Sequence, residues 1–162
     1  MKKILTILFI SVVALAPLLA DAAQVEIVTD VSETSPVYVL KYNGSEISGT
    51  TDNPYQIKID RDLTDEGQTG DFEVYLVESN STSPLSVDIS VITGEFTTTL
   101  NGTEVSSGIT PQINTVNSKV TTISAGINSN LLLYKFNLKW TGKSGLVAGT
   151  YTSDVTINYS VN

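Results

Sequence analysis

The stretch LLYKFNLKW, residues 132–140, carries the clearest structural pattern in the chain. Apolar and aromatic residues occupy every second position, and Lys135, Asn137 and Lys139 fill the positions between them. Side chains alternate between the two faces of a β-strand, so this pattern predicts a strand with one buried and one solvated face. The predicted core face consists of Leu132, Tyr134, Phe136, Leu138 and Trp140. We interpret these aromatic residues as core and not as a platform for stacking sugars.

The same period of two recurs along the rest of the chain, and no stretch has the period of an amphipathic helix. Val37–Tyr42 is a predicted strand that ends at Asn43-Gly44, and Asn101-Gly102 is the centre of a predicted hairpin over residues 96–105. Both dipeptides favour type I′ turns. Residues 64–70 and 106–119 are predicted to be irregular. Further alternating rows are Tyr55, Ile57 and Ile59; Phe72, Val74 and Leu76; and Leu85, Val87, Ile89 and Val91.

This rhythm of short strands and turns predicts the fold class. About seven or eight strands at spacings of about ten residues, separated by Gly, Asn and Pro, are typical of an immunoglobulin-like β-sandwich. A closed β-barrel is the competing architecture. The chain is therefore predicted to be all-β, with one domain.

Composition excludes several functions. The 162 residues include no His and no Cys, so the chain alone cannot form an imidazole-dependent nucleophilic site, a Cys/His zinc site or a disulfide. The formal net charge is -8, with 9 Lys and Arg against 17 Asp and Glu. Nucleic-acid surfaces need clustered Lys and Arg, so no nucleic-acid partner is expected. We expect neither an enzyme nor a cofactor or metal site, and a role in binding or assembly.

The N-terminus has the pattern of a secretory signal peptide. Lys2 and Lys3 precede an apolar run over residues 4–15, and small residues follow up to Ala22. Residues 1–22 are therefore predicted to be removed by cleavage after Ala22, with Ala20 and Ala23 as alternative cleavage sites. A membrane anchor is the competing interpretation, although the apolar run is short for one.

Two alternating strands, one near each end of the chain, are candidates for sheet edges that pair with a partner. In residues 23–35 the alternating row is Val25, Ile27, Thr29 and Val31. Near the other end it is Tyr151, Val155, Ile157, Tyr159 and Val161. If the domain lacks one strand beside the second row, the first row of a neighbouring chain can fill that groove by β-augmentation. Alternatively, residues 24–31 pair within their own domain.

Two segments resemble a known family. The stretch LVAGTYTSDVTINY, residues 146–159, resembles the C-terminal signature of chaperone-usher pilus subunits. The stretch VEIVTDV, residues 25–31, followed by Pro36, is similar to the donor strand of cysteine-free colonisation-factor (alpha-clade) fimbrial subunits. Spore coat protein U-type pilins share a similar A-G-T-Y ending.

The resemblance implies an incomplete immunoglobulin-like domain over residues 36–162 that is completed by a donor strand from residues 23–35. It also implies export through the periplasm to the cell surface, as part of a fimbria that supports adhesion. The implied partners are identical or homologous pilin subunits, a periplasmic chaperone, an outer-membrane usher and a host receptor. The alternative function is a self-contained secreted binding module, such as a carbohydrate-binding or tip-adhesin domain.

Overall fold

The computed structural model describes residues 35–49, 53–59 and 62–161, without the side chain of Val161. Within these ranges the protein is all-β and contains no helix, and so no helix that could span a membrane. All predicted donor residues, Val25, Ile27, Thr29 and Val31, lie outside the described residues. The strands are β1 (Val37–Tyr42), β2 (Ser45–Ile47), β3 (Gly67–Gln68), β4 (Phe72–Ser81), β5 (Leu85–Thr93), β6 (Thr97–Leu100), β7 (Thr103–Ser106), β8 (Gln112–Asn117), β9 (Thr122–Ile123), β10 (Gly126–Trp140) and β11 (Val155–Val161).

Among the described residues, the larger sheet has six antiparallel strands in the order β2-β1-β4-β10-β3, and β8 also pairs with β10. β1 and β2 form a hairpin through Asn43 and Gly44, whose φ angles are 48° and 78°. β6 and β7 form a separate hairpin through Asn101 and Gly102, with φ angles of 51° and 80°. Positive φ at both central residues is what a type I′ turn requires. Both turns predicted from the Asn-Gly dipeptides are confirmed.

In the part of the chain that the structure describes, the smaller sheet has three antiparallel strands in the order β11-β5-β9. β11 pairs with β5 over its whole length, from Val155 opposite Thr93 to Val161 opposite Val87. β5 and β9 pair only through Leu85 and Ser86. The smaller sheet therefore consists largely of one two-stranded ribbon.

One hydrophobic core receives side chains from both sheets. Phe136 of β10 is fully buried and stacks on Phe72 and on Tyr134, with ring centroids 5.1 and 5.0 Å away. Val87 and Ile89 of β5 join the same cluster from the smaller sheet. A core filled from two sheets is compatible with a β-sandwich. The prediction that Tyr134, Phe136 and Trp140 are core residues is confirmed by their burial.

Four expectations about local structure were wrong. Residues 106–119 include a strand, β8, whose exposed Ile113 and Val116 give no alternating pattern because the strand lies at a sheet edge. The alternating residues 55, 57 and 59 lie in a segment without strand pairing, and residues 64–70 include β3. A β-bulge between Leu132 and Tyr134 makes Leu133 the buried residue and leaves Leu132 half-buried.

The outward face of the larger sheet carries a cluster of polar side chains. Lys135 Nζ lies 2.8 Å from Glu73 Oε1 and 3.0 Å from Asp71 Oδ2. Asn137 Nδ2 donates to Asp71 Oδ1 at 3.0 Å, and its Oδ1 accepts from Asn114 at 2.9 Å. The Asn137 amide, followed by Lys135, lowers the pKa of Asp71 below its ordinary value of 3.8. Folding therefore favours the ionised form of Asp71.

We expect the protein to become less stable as the pH decreases, and Asp71→Asn to remove part of this pH dependence. A carboxyl whose pKa is depressed by folding stabilises the fold above its unfolded pKa, and this stabilisation disappears as pH falls through the folded value. Asp71→Asn should thus lower the unfolding midpoint at neutral pH and converge with the unchanged protein once the pH lies below the folded pKa of Asp71. Thermal unfolding between about pH 2 and pH 7 measures this. Asp88→Asn, at an exposed position on β5, is the control, and an equal effect of both substitutions would contradict the assignment.

Candidate functional site: an open groove beside β11

β11 is held in a fixed register at its start. The backbone N–H of Gly94 donates to the carbonyl of Asp154 at 2.7 Å, and the hydroxyl of Ser153 donates to the carbonyl of Gly94 at 2.7 Å. These bonds join the end of β5 to the residues just before β11. Since the strand period is two, Val155, Ile157 and Tyr159 all fall on the face towards the core, and Thr156, Asn158 and Ser160 on the opposite face.

The core-facing side of β11 is only partly covered. Val155 and Ile157 are half-buried against the core, and Tyr159 is 39% exposed. Ile89, which pairs with Tyr159 on the neighbouring strand β5, is only 4% exposed. Among the described residues, β11 pairs along one edge only, with β5. The edge of β11 that faces away from β5 has no partner strand among these residues.

Tyr38 of β1 forms the opposite wall of this opening. Its ring centroid lies 5.7 Å from that of Tyr159, with a tilt of 57° between the rings. The Tyr38 hydroxyl oxygen is buried and has no hydrogen-bond partner among the described residues. Burial also raises the pKa of Tyr38 above its ordinary value. We call the surface formed by Tyr38, Val155, Ile157 and Tyr159 the β11 groove.

The other predicted groove residues lie at or beyond the ends of this surface. Tyr151 precedes β11, and its hydroxyl donates to the carbonyl of Val147 at 2.9 Å. Val161 is the last residue of β11 and pairs with Val87. The structure thus brings Val155, Ile157 and Tyr159 together on one strand face and leaves Tyr151 in the preceding segment.

The A-G-T-Y segment, residues 148–151, contacts β6. A Cβ atom at position 149 would lie only 2.8 Å from Thr98 Oγ1, so any residue other than glycine would clash with Thr98 there. Thr152 and Thr97 exchange two backbone hydrogen bonds of 2.8 Å each. An open cleft of about 400 Å³ lies here, lined by Thr97, Thr98, Thr99, Glu104, Gly149, Thr150 and Thr152. The motif therefore positions the chain that leads into β11.

Two further residues belong to the groove that the sequence analysis did not assign to it. Tyr38 forms its wall, and Ile89 forms its floor next to Tyr159. Both lie in alternating rows that were recognised as strands. Periodicity identifies the face on which a side chain lies, but it does not say which strand lies across the core, so this contact could not be inferred.

The side chains that line the β11 groove are aliphatic and phenolic. No group of three or more His, Cys, Asp or Glu residues that could hold a metal ion occurs among residues 35–49, 53–59 and 62–161. No family model matches the chain, and no curated protein and no solved structure is significantly similar to it. The inference of function therefore depends on the groove.

Proposed function

We propose that the protein is a structural subunit of a bacterial surface pilus or fimbria, which polymerises by donor-strand exchange and supports adhesion. The domain is then an incomplete immunoglobulin-like sandwich. Residues 23–35 of a neighbouring subunit, after removal of the signal peptide, supply the strand that it lacks. A periplasmic chaperone holds the groove open before assembly, an outer-membrane usher assembles the fibre, and the product lies on the cell surface.

One observation carries this proposal: the contrast between Tyr159 and Ile89. These residues pair on adjacent strands and face the same core, yet Tyr159 is 39% exposed and Ile89 is 4% exposed. A core that is closed on one side of a strand and open on the other is what a missing neighbouring strand would leave. An added strand would also pair the backbone groups along the second edge of β11.

The groove is well suited to the alternating row in residues 25–31. Each apolar side chain that becomes fully buried contributes about 1.5–3 kcal/mol, and each net backbone hydrogen bond about 0.5–1.5 kcal/mol. On the opposite face, Glu26 and Asp30 would lie beside the uncharged residues of β11, Thr156, Asn158 and Ser160. Insertion therefore brings together apolar surfaces without placing like charges side by side.

A second copy of the chain is the occupant we favour. Only residues 32–36 separate Val31 from β1, and β1 begins beside Tyr159 through the Tyr38 contact. Within one chain, these five residues would have to cross from one sheet to the other, since β1 belongs to the larger sheet and β11 to the smaller. A neighbouring copy has no such constraint. Repeated from copy to copy, this contact is heterologous and produces a filament.

The test uses the chain without residues 1–33 and a synthetic peptide of residues 23–33. We expect the peptide to raise the thermal midpoint of the truncated chain, because a ligand at about 100 times its Kd adds about 2.7 kcal/mol to the free energy of unfolding. The same peptide with Ile27→Asp is the control and should have little effect, since a carboxylate would enter the apolar groove.

The opposite result supports the alternative function. If the chain that begins at residue 23 is a stable monomer at all concentrations and the peptide does not stabilise the truncated chain, residues 24–31 form an internal strand. The protein is then a self-contained secreted binding module, and the pilus proposal is wrong.

A further inference from the structure

The strand β5 has a second edge, on the side away from β11. β9 pairs with this edge only at Leu85 and Ser86. Val87 continues the contact, since its N–H donates to the carbonyl of Thr121 at 3.0 Å. No strand of the described chain pairs with this edge beyond Val87. The smaller sheet therefore has two edges at which a further strand could pair, one on β11 and one on β5.

The second edge of β5 carries the main-chain groups of Ile89 and Val91. The pairing of β5 with β11 is continuous and has no bulge, so the N–H and C=O groups of successive residues point alternately to the two edges. Those of Val87 point away from β11, because its N–H bonds Thr121. Those of residues 89 and 91 follow on the same side with the period of two. These groups would hydrogen-bond a strand that added here.

The side chain of Lys119 lies across this edge. Its Nζ donates to the carbonyl of Ile89 at 2.8 Å and lies 5.1 Å from the centroid of the Tyr134 ring. The next residue, Val120, is bonded to the larger sheet, where its N–H donates to the carbonyl of Leu133 at 2.8 Å. Lys119 thus reaches from the larger sheet to the edge of the smaller one. It forms no ion pair with a carboxylate in the described part of the chain.

We propose that Lys119 protects the second edge of β5 against strand pairing, and so leaves β11 as the edge at which a strand is added. An incoming strand would have to displace the ammonium from the Ile89 carbonyl, or cover it where no carboxylate pairs with it. Covering an unpaired charge is costly, and charged side chains, Lys above all, protect the sheet edges of natural proteins. The protection itself does not depend on the proposed function, but its consequence for the site of strand addition does.

The test replaces Lys119 by Met, which keeps a long side chain and removes the ammonium, in the chain from residue 23 onward. Light scattering over a concentration series measures association, and hydrogen exchange measures the protection of the amides of residues 89 and 91. The concentration of half-maximal association should fall about tenfold, because the β5 edge becomes available. In the associated variant these two amides should exchange about tenfold more slowly than in its monomer. In assemblies of the unchanged chain they should exchange as in the monomer.

Two variants serve as matched controls. Lys119→Arg keeps a cationic donor and should behave like the unchanged chain. Lys139→Met removes the same charge at an exposed position of β10 and should leave association and exchange unchanged. Thermal unfolding of each monomer is measured in parallel. If Lys119→Met does not fold, Lys119→Gln, which is polar and uncharged, takes its place.

The outcomes separate this inference from the proposed function. If Lys119→Met associates no more readily than Lys139→Met, or if residues 89 and 91 keep their monomer exchange rates, the inference is wrong and the groove proposal stands. Slower exchange of these amides in assemblies of the unchanged chain would also overturn it, because a strand then pairs with β5 despite Lys119. Slower exchange in Lys119→Met alone, together with a groove that does not bind the peptide of residues 23–33, would support the protected edge and show the proposed function to be wrong.

Discussion

Phe136→Ala is expected to lower the free energy of unfolding by about 3–5 kcal/mol. Phe136 is fully buried and is the middle ring of a stack, with Phe72 and Tyr134 on either side at 5.1 and 5.0 Å. Truncation removes the buried apolar area of the ring and leaves a cavity between two rings that the sheet holds in place. Since small domains have a total stability of about 5–15 kcal/mol, about a fifth or more of it would be lost. Urea unfolding monitored by circular dichroism measures the change.

Two controls make this expectation specific. Ile127→Ala, on the same strand β10 at a position that is 88% exposed, should change the free energy of unfolding by less than about 0.5 kcal/mol. Phe136→Leu keeps most of the volume and should lose clearly less than alanine does. If Phe136→Ala unfolds at the same urea concentration as Ile127→Ala, the aromatic stack is not the centre of the core.

The sequence predicted those strands that turn an alternating row of side chains towards the core, in the middle of a sheet and, for β11, at a sheet edge. Val37–Tyr42 is observed with the predicted bounds, and β4 buries its predicted row. Of the row predicted on β5, Val87 and Ile89 are buried and Leu85 and Val91 are half-buried. Alternation is strong there because one face meets the core and the other meets solvent. β8 carries no such signal, since most of its residues are exposed at a sheet edge, and it was predicted to be irregular. The bulge in β10 makes Leu133 the buried residue in place of Leu132. This shift was not predicted, because a β-bulge cannot be recognised from a period-two pattern.

The candidate site was predictable in part for the same reason. The alternation of Val155, Ile157 and Tyr159 identifies a strand face, and the structure shows these residues on the core-facing side of β11. Their incomplete burial could not be predicted, because it depends on which strands flank β11. Among the described residues, only β5 does. Tyr38 lies more than a hundred residues away in sequence, so only the packing of β1 against β11 brings it to the groove.

Ile157→Asp is expected to reduce assembly at least a hundredfold. Ile157 is half-buried in the centre of the β11 groove, between Val155 and Tyr159. In the monomer an aspartate there can keep contact with water, but an inserted strand would cover it. Burying an unpaired carboxylate costs several kcal/mol, and each 1.4 kcal/mol is about a tenfold change in the association constant. Size-exclusion chromatography and light scattering over a concentration series measure the loss.

The matched control is Ile92→Asp on β5, which introduces the same charge into the same small sheet. Ile92 is 60% exposed and pairs with Thr156 on the face away from the core, so assembly and stability should both stay close to those of the unchanged chain. Because Ile157 also contacts the core, thermal unfolding of the monomer is measured in parallel. Ile157→Ala is a milder variant that should weaken assembly about tenfold while the monomer remains folded. The contradicting result is an Ile157→Asp variant that is folded and assembles as well as Ile92→Asp. An inserted strand would remove the introduced carboxylate from water, so this result would show that no strand covers the groove.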